Sequence, residues 1–66
     1  MDVVINGKPT HLTEAVTITD LLRRHDLHPT RVAIEINREI LPKKFYDSRY
    51  LKSGDQIEIV TFVGGG

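Results

Sequence analysis

Residues 17–25 are the one stretch of this chain with the pattern of a helix of several turns; the remaining apolar residues fall in short, strand-like runs. A lone helix limits the fold more than any other feature, because its apolar stripe must be covered by strands. Thr17 stands where an N-cap belongs, and Asp20 falls at N3 in the Thr-x-x-acid form of a capping box. Val16, just before the cap, is placed to pack on Leu21 at N4. Ile18, Leu21, Leu22 and His25 recur at i, i+3, i+4 and i+7, which makes one stripe. Arg23, Arg24 and His25 put positive charge near the C-terminal end, and Pro29 blocks continuation. The spacing predicts a helix of about three turns or slightly less.

The strands are read from alternation and turn chemistry. Met1–Ile5 is β-branched and meets Asn6-Gly7, a pair that favours the type I′ turn of a two-residue hairpin. Lys8–Leu12 is the returning strand. Pro9 lacks an N–H, so that strand belongs at a sheet edge. Val32, Ile34 and Ile36 alternate with Ala33, Glu35 and Asn37, the signature of one buried face. Asn37-Arg38-Glu39 turns the chain into a short strand at Ile40-Leu41, stopped by Pro42. Lys43–Tyr50 has no clear period and is expected to contain a short helical turn, with Tyr46 and Tyr50 as packing groups. After the Lys52-Ser53-Gly54-Asp55 turn, 56–63 is the last strand, apolar enough to sit centrally beside the first. The expected class is α+β, a sheet packed on one main helix.

Size and composition narrow the function. Sixty-six residues support one small core and leave little volume for an enclosed active site. With no cysteine, disulfides, thiolate zinc sites and cysteine nucleophiles are excluded. Nine basic and nine acidic residues cancel, whereas a general nucleic-acid binder shows a basic excess. No apolar run approaches the roughly 20 residues of a membrane helix, and the N-terminus lacks signal-peptide character. The expectation is a cytoplasmic protein, monomeric when free, that engages neither nucleic acid nor membrane. His11, His25 and His28 show no metal-ligand spacing, so no metal site is expected. Gly7-Lys8-Pro9-Thr10 echoes a phosphate loop but lacks its upstream glycine and the following Ser/Thr. Lys43 and Lys44, with Arg31 and Arg38, could attract an acidic partner but read better as a solvated face.

The chain closes on Gly64-Gly65-Gly66. Glycine loses the most entropy on ordering and permits close approach of another molecule to the backbone. Residues 63–66 reach roughly 13 Å when extended, enough to pass a carboxylate into a narrow channel of a partner. A frayed end or a cloning scar is the competing reading. The expected organisation is a folded domain over 1–63 and a flexible tail over 64–66.

Several segments together resemble a known family. Val3-Val4-Ile5-Asn6-Gly7, Thr17-Ile18-Thr19-Asp20-Leu21-Leu22, Val32-Ala33-Ile34-Glu35-Ile36-Asn37, Ile40-Leu41-Pro42 and Ser53-Gly54-Asp55-Gln56-Ile57-Glu58-Ile59 before a C-terminal Gly-Gly are similar to ThiS, the thiamine-biosynthesis sulfur carriers. The resemblance spans the chain, with a third glycine where many members show two. It implies a β-grasp, ubiquitin-like fold with a mixed sheet. It also implies that the chain is a cosubstrate without catalytic residues or a bound cofactor. An E1-like adenylating enzyme of the ThiF type, using ATP and Mg, would adenylate the Gly66 carboxylate. A sulfur donor such as a cysteine desulfurase would convert it to a thiocarboxylate, which a ThiG-type thiazole synthase consumes. Gly64 and Gly65 would thread the tail.

Alternation along the last strand places Ile57, Ile59 and Thr61 on one side and Glu58, Val60 and Phe62 on the other. If the first set faces the helix, Val60 and Phe62, with Val63 at the root of the tail, form an apolar docking patch. In the competing reading the strand twists and Phe62 completes the core edge. Two other identities share a Gly-Gly end: a molybdopterin synthase small subunit, and a ubiquitin-like modifier or interaction module.

Overall fold

The computed structural model describes residues 1–62. Five strands, β1 (Asp2–Ile5), β2 (Lys8–His11), β3 (Val32–Ile36), β4 (Glu39–Leu41) and β5 (Gln56–Thr61), form one sheet in the order β2-β1-β5-β3-β4. The pairing of β5 with β1 is parallel and the other three are antiparallel, so the sheet is mixed. β5 is central beside β1 and β2 carries Pro9 at one edge, as the residues predict, and β4 forms the other edge. The helix α1 (Ile18–Arg24) covers one face. No helix among the described residues is long and apolar enough to cross a membrane.

Local chemistry accounts for most of the turns. Asn6 and Gly7 have φ of 49° and 79°, the pair of positive values that a type I′ hairpin requires. The β3–β4 hairpin uses Asn37 (φ 53°) and Arg38 (φ 70°) in the same way, and there Arg38 accepts a conformation that a side chain disfavours. Short 3-10 turns occupy Pro29–Arg31 and Lys43–Phe45.

The capping box forms in both directions: the Asp20 N–H donates to Thr17 Oγ1 at 3.1 Å, and the Thr17 N–H donates to Asp20 Oδ2 at 3.1 Å. These bonds hold the Asp20 carboxyl below the usual range, backbone donation from Thr17 contributing most. Val16 and Leu21 are both buried in the core, as the staple requires. The helix stops earlier than the sequence implies, after seven residues. Asp26 adopts φ 57°, its N–H donates to Arg23 O at 3.1 Å, and the Leu27 N–H donates to Leu22 O at 2.8 Å. This is a Schellman termination, with Asp where glycine is usual. His25 is consequently an exposed C-cap and not a fourth member of the stripe; Leu27 packs against the core in its place.

Ile18, Leu21 and Leu22 from the helix meet Val3, Ile5, Val32, Ile34, Ile36 and Ile57 from the sheet. Leu12, Val16, Tyr46 and Leu51 complete this core. Burial of Tyr46 raises its phenol pKa, opposed by hydrogen bonding to Ile34 backbone. Tyr50 departs from its expected packing role. It forms an isolated bridge with Thr17 and is 54% exposed.

Candidate functional site

The first half of β5 is anchored before the strand begins. Asp55 is buried, and its carboxylate accepts hydrogen bonds from Asn37 Nδ2 at 3.0 Å, the Lys52 N–H at 2.8 Å and Arg49 at 3.3 Å. Burial pushes its pKa up, but the Asn37, Lys52 and Arg49 donors outweigh it and the net shift is downward. Asn37 also accepts from the Gln56 N–H through Oδ1 at 3.0 Å, and its own N–H donates to Gln56 O at 2.8 Å. Ile57, paired with Ile5 on one side and Ile36 on the other, is fully buried.

Beyond Ile57, β1 turns away at Asn6-Gly7. The Asn6 side chain takes over the ladder: Oδ1 accepts from the Ile59 N–H at 2.7 Å and Nδ2 donates to Ile59 O at 3.2 Å. The amide therefore acts as one more residue of strand. The dipeptide Asn-Gly marks the turn in sequence, but nothing in the one-dimensional pattern marks this second duty.

On the β3 side, pairing continues to the end, with Ala33 opposite Val60 and Val32 opposite Thr61. The Phe62 N–H then donates to Arg31 O at 2.9 Å. The register puts Ala33, Glu35, Glu58, Val60 and Ile40 on the sheet face away from the helix. Val60 is 54% exposed, Phe62 53% and Ile40 77%. Phe62 is thus not a core-edge residue, and the side of β5 carrying Val60 and Phe62 is open to solvent. Glu35 and Glu58 lie directly opposite each other in the middle of that face, both exposed. Val63, Gly64, Gly65 and Gly66 lie outside the described residues.

Lys43, which reads in sequence as part of a solvated face, is instead engaged. Its Nζ donates to Val32 O at 3.0 Å and lies 5.9 Å from the ring centroids of both Tyr46 and Phe62. Ammonium–ring contacts depend on three-dimensional proximity, so the sequence carries no signal for them. A solvent-open groove of about 430 Å³ lies on the helix side of β5, bordered by Ile5, Lys8, His25, Leu27, Ile59 and Thr61. Among the described residues, no group of three or more His, Asp or Glu could hold a metal ion.

The arrangement suits presentation better than catalysis. A strand runs from the centre of a sheet to its end, with exposed apolar groups on one face. Comparison with known proteins gives this arrangement a family. Residues 3–66 match the ThiS family. The chain is 43% identical over 63 residues to the sulfur carrier protein ThiS of Bacillus subtilis, covering 94% of this chain and 96% of that one. It is 39% identical over 66 residues to thiazole synthase of Paramagnetospirillum magneticum, covering all of this chain but only 20% of that protein. The crystal structure of the thiamine biosynthesis protein ThiS from Geobacter metallireducens superposes with a TM-score of 0.83 at 33% identity, each chain covered in full. That likeness makes the mixed sheet and single helix a β-grasp fold. Family match, carrier sequence and solved fold coincide along the same residues, and the chain belongs to the ThiS family.

Proposed function

We propose that this ThiS-type sulfur carrier of thiamine biosynthesis works through the carboxylate of Gly66, presented on Gly64 and Gly65 as a tail that follows a folded domain. A carboxylate resists attack because its charge is delocalised and oxide is a poor leaving group. An E1-like adenylating enzyme removes that barrier: a carboxylate oxygen attacks the α-phosphorus of Mg-bound ATP, pyrophosphate leaves, and an acyl-adenylate forms. A persulfide from a desulfurase-type donor then attacks the carbonyl carbon, and AMP departs with the electron pair of the broken C–O bond. A second thiol attacks the resulting acyl disulfide and frees the thiocarboxylate, with a donor disulfide as the other product. Nucleotide and metal belong to the adenylating enzyme, and the carrier itself is not a catalyst.

The observation that carries this reading is family membership along residues 3–66, a span that includes the three glycines. The placement of β5 supports it, since only Phe62 and Val63 separate the central strand from the glycines in sequence. A ThiG-type thiazole synthase as sulfur acceptor is supported by the likeness of this chain to one-fifth of a thiazole synthase, which has such a segment within its own polypeptide. Val60 and Phe62, exposed on one face of β5, are the docking residues, with Val63 at the root of the tail. The site of action is the cytoplasm, where the free carrier is a monomer.

Intact-mass measurement tests the chemistry. After incubation with a ThiF-type enzyme, MgATP and a persulfide donor, the protein gains the mass difference of sulfur for oxygen, and deletion of Gly66 abolishes the gain. A ladder of lysine conjugates would instead make the chain a modifier. An unchanged mass with every adenylating enzyme tried would overturn the reading.

A further inference from the structure

The residue at the end of β5 is held by a charge from a different element. The β3–β4 register pairs Ile34 with Leu41, so two further residues of β4 would bring position 43 opposite Val32. The chain instead leaves the strand at Pro42 and enters the 3-10 turn Lys43–Phe45, which takes the position-43 backbone N–H away from Val32. Val32 O is satisfied by the Lys43 side chain at 3.0 Å, in place of a backbone donor.

The same ammonium lies between two rings, 5.9 Å from the centroid of Tyr46 and 5.9 Å from that of Phe62. Both distances fall within the roughly 6 Å reach of a cation–π contact. The two rings differ in kind: Tyr46 is buried in the core, whereas Phe62 is half exposed at the end of the sheet. Lys43 therefore ties a half-exposed ring to a buried one. Together with the Phe62 N–H to Arg31 O bond of 2.9 Å, it fixes both backbone and side chain at the point where β5 ends.

We propose that Lys43 is a positioning residue that aims the C-terminal tail for entry into a partner's active site. The proposal rests on the reading of Gly66 as the reacting end. The role assigned to the Lys43 ammonium is positional and acts through Phe62. Its effect is pre-organisation: with Phe62 held, less conformational freedom is lost when the following residues thread into a channel. The open patch around Val60 still docks without Lys43, so the contact governs how often a docked carrier is correctly threaded.

Lys43→Met keeps the aliphatic stem and removes the ammonium, and with it the hydrogen bond to Val32 O. The expected result with a ThiF-type enzyme is a roughly fivefold fall in kcat at nearly unchanged KM for the carrier, matching the loss of a cation–π contact. Amide exchange at Phe62 should rise by about the same factor while exchange at Ile34 and Ile57 stays at the wild-type rate. Lys43→Arg, which retains cation and stem, should restore both. If Lys43→Met lowers the global melting temperature, a double-mutant cycle with Phe62→Leu separates the effects: the two substitutions should be less than additive in kcat. Wild-type Phe62 exchange in Lys43→Met overturns the proposal, as do a change confined to KM, failed rescue by Arg or full additivity in the cycle. A wild-type carrier that no adenylating enzyme accepts defeats the proposed function, whereas wild-type kcat in Lys43→Met defeats this inference alone.

Discussion

At its start β5 is gripped from both sides and from below; at its end it keeps only one backbone neighbour. The Gln56–Glu58 half lies between β1 and β3, follows the Asp55 anchor and buries Ile57 completely. The Ile59–Thr61 half retains β3, replaces β1 by the Asn6 side chain and exposes Val60, with Phe62 exposed just beyond it. Side chains of like apolar character therefore do opposite things a few residues apart. In the first half they hold the fold; in the second they leave an open face. A domain this small can thus divide one strand into a part that packs the core and a part that leaves an open face.

The contrast can be broken most forcefully at its buried end. Ile57→Ala should cost about 2–5 kcal/mol in urea unfolding, the usual range for truncating a fully buried aliphatic side chain. A cost similar to that of Val60→Ala would erase the distinction between the halves.

The Asp55 anchor comes next. Asp55→Asn should cost about 1.5–3 kcal/mol, as expected for hydrogen bonds to a charged group. The pH dependence has a definite sign, because the folded-state pKa of Asp55 is depressed. Its contribution is complete above the ordinary aspartate value of about 3.9 and disappears as pH falls toward the lower folded-state value. Thermal melts from neutrality to pH 3 should therefore show a steeper acid loss in the wild type than in Asp55→Asn. Parallel curves would mean that the anchor is not electrostatic.

At the open end, Phe62→Ser should lower kcat/KM with a ThiF-type enzyme about tenfold, the effect of truncating an aromatic interface anchor, with stability almost unchanged. Wild-type activity would remove Phe62 from the docking surface. The smallest effect belongs to the junction. Asn6→Asp keeps the acceptor for the Ile59 N–H but loses the donor to Ile59 O, and should cost about 1 kcal/mol. Faster amide exchange should be confined to residues 59–61; faster exchange throughout β1 would show that the side chain supports the whole sheet.

The features legible in the sequence are those governed by near neighbours. The Asn6-Gly7 turn, the Thr17–Asp20 cap and the alternation of Val32, Ile34 and Ile36 involve residues at most a few positions apart, and each appears where expected. The helix end is less legible because Asp26, not glycine, takes the left-handed position, and His25 continues a periodicity that the backbone has already left. Tyr46 and Tyr50 are four residues apart in an irregular segment, and only tertiary packing decides that one is buried and the other exposed. At the site, alternation distinguished the two faces of β5, but not which would be covered. The Asn6–Ile59 and Lys43–Phe62 contacts join residues far apart in the chain and leave no periodic trace.

The facing pair Glu35 and Glu58 has a consequence for how the free protein behaves in concentrated solution. Like charges directly opposite on neighbouring strands cost stability, so this arrangement is not the one that folding alone would favour. Two copies stacked through their Val60–Phe62 faces would bring four carboxylates together. Such a stack would set carboxylate against carboxylate, whereas a surface offering arginine or lysine would meet no such repulsion. Sedimentation across a salt series makes the effect visible: self-association should grow as screening rises, and Glu58→Gln should reach the same state in dilute buffer.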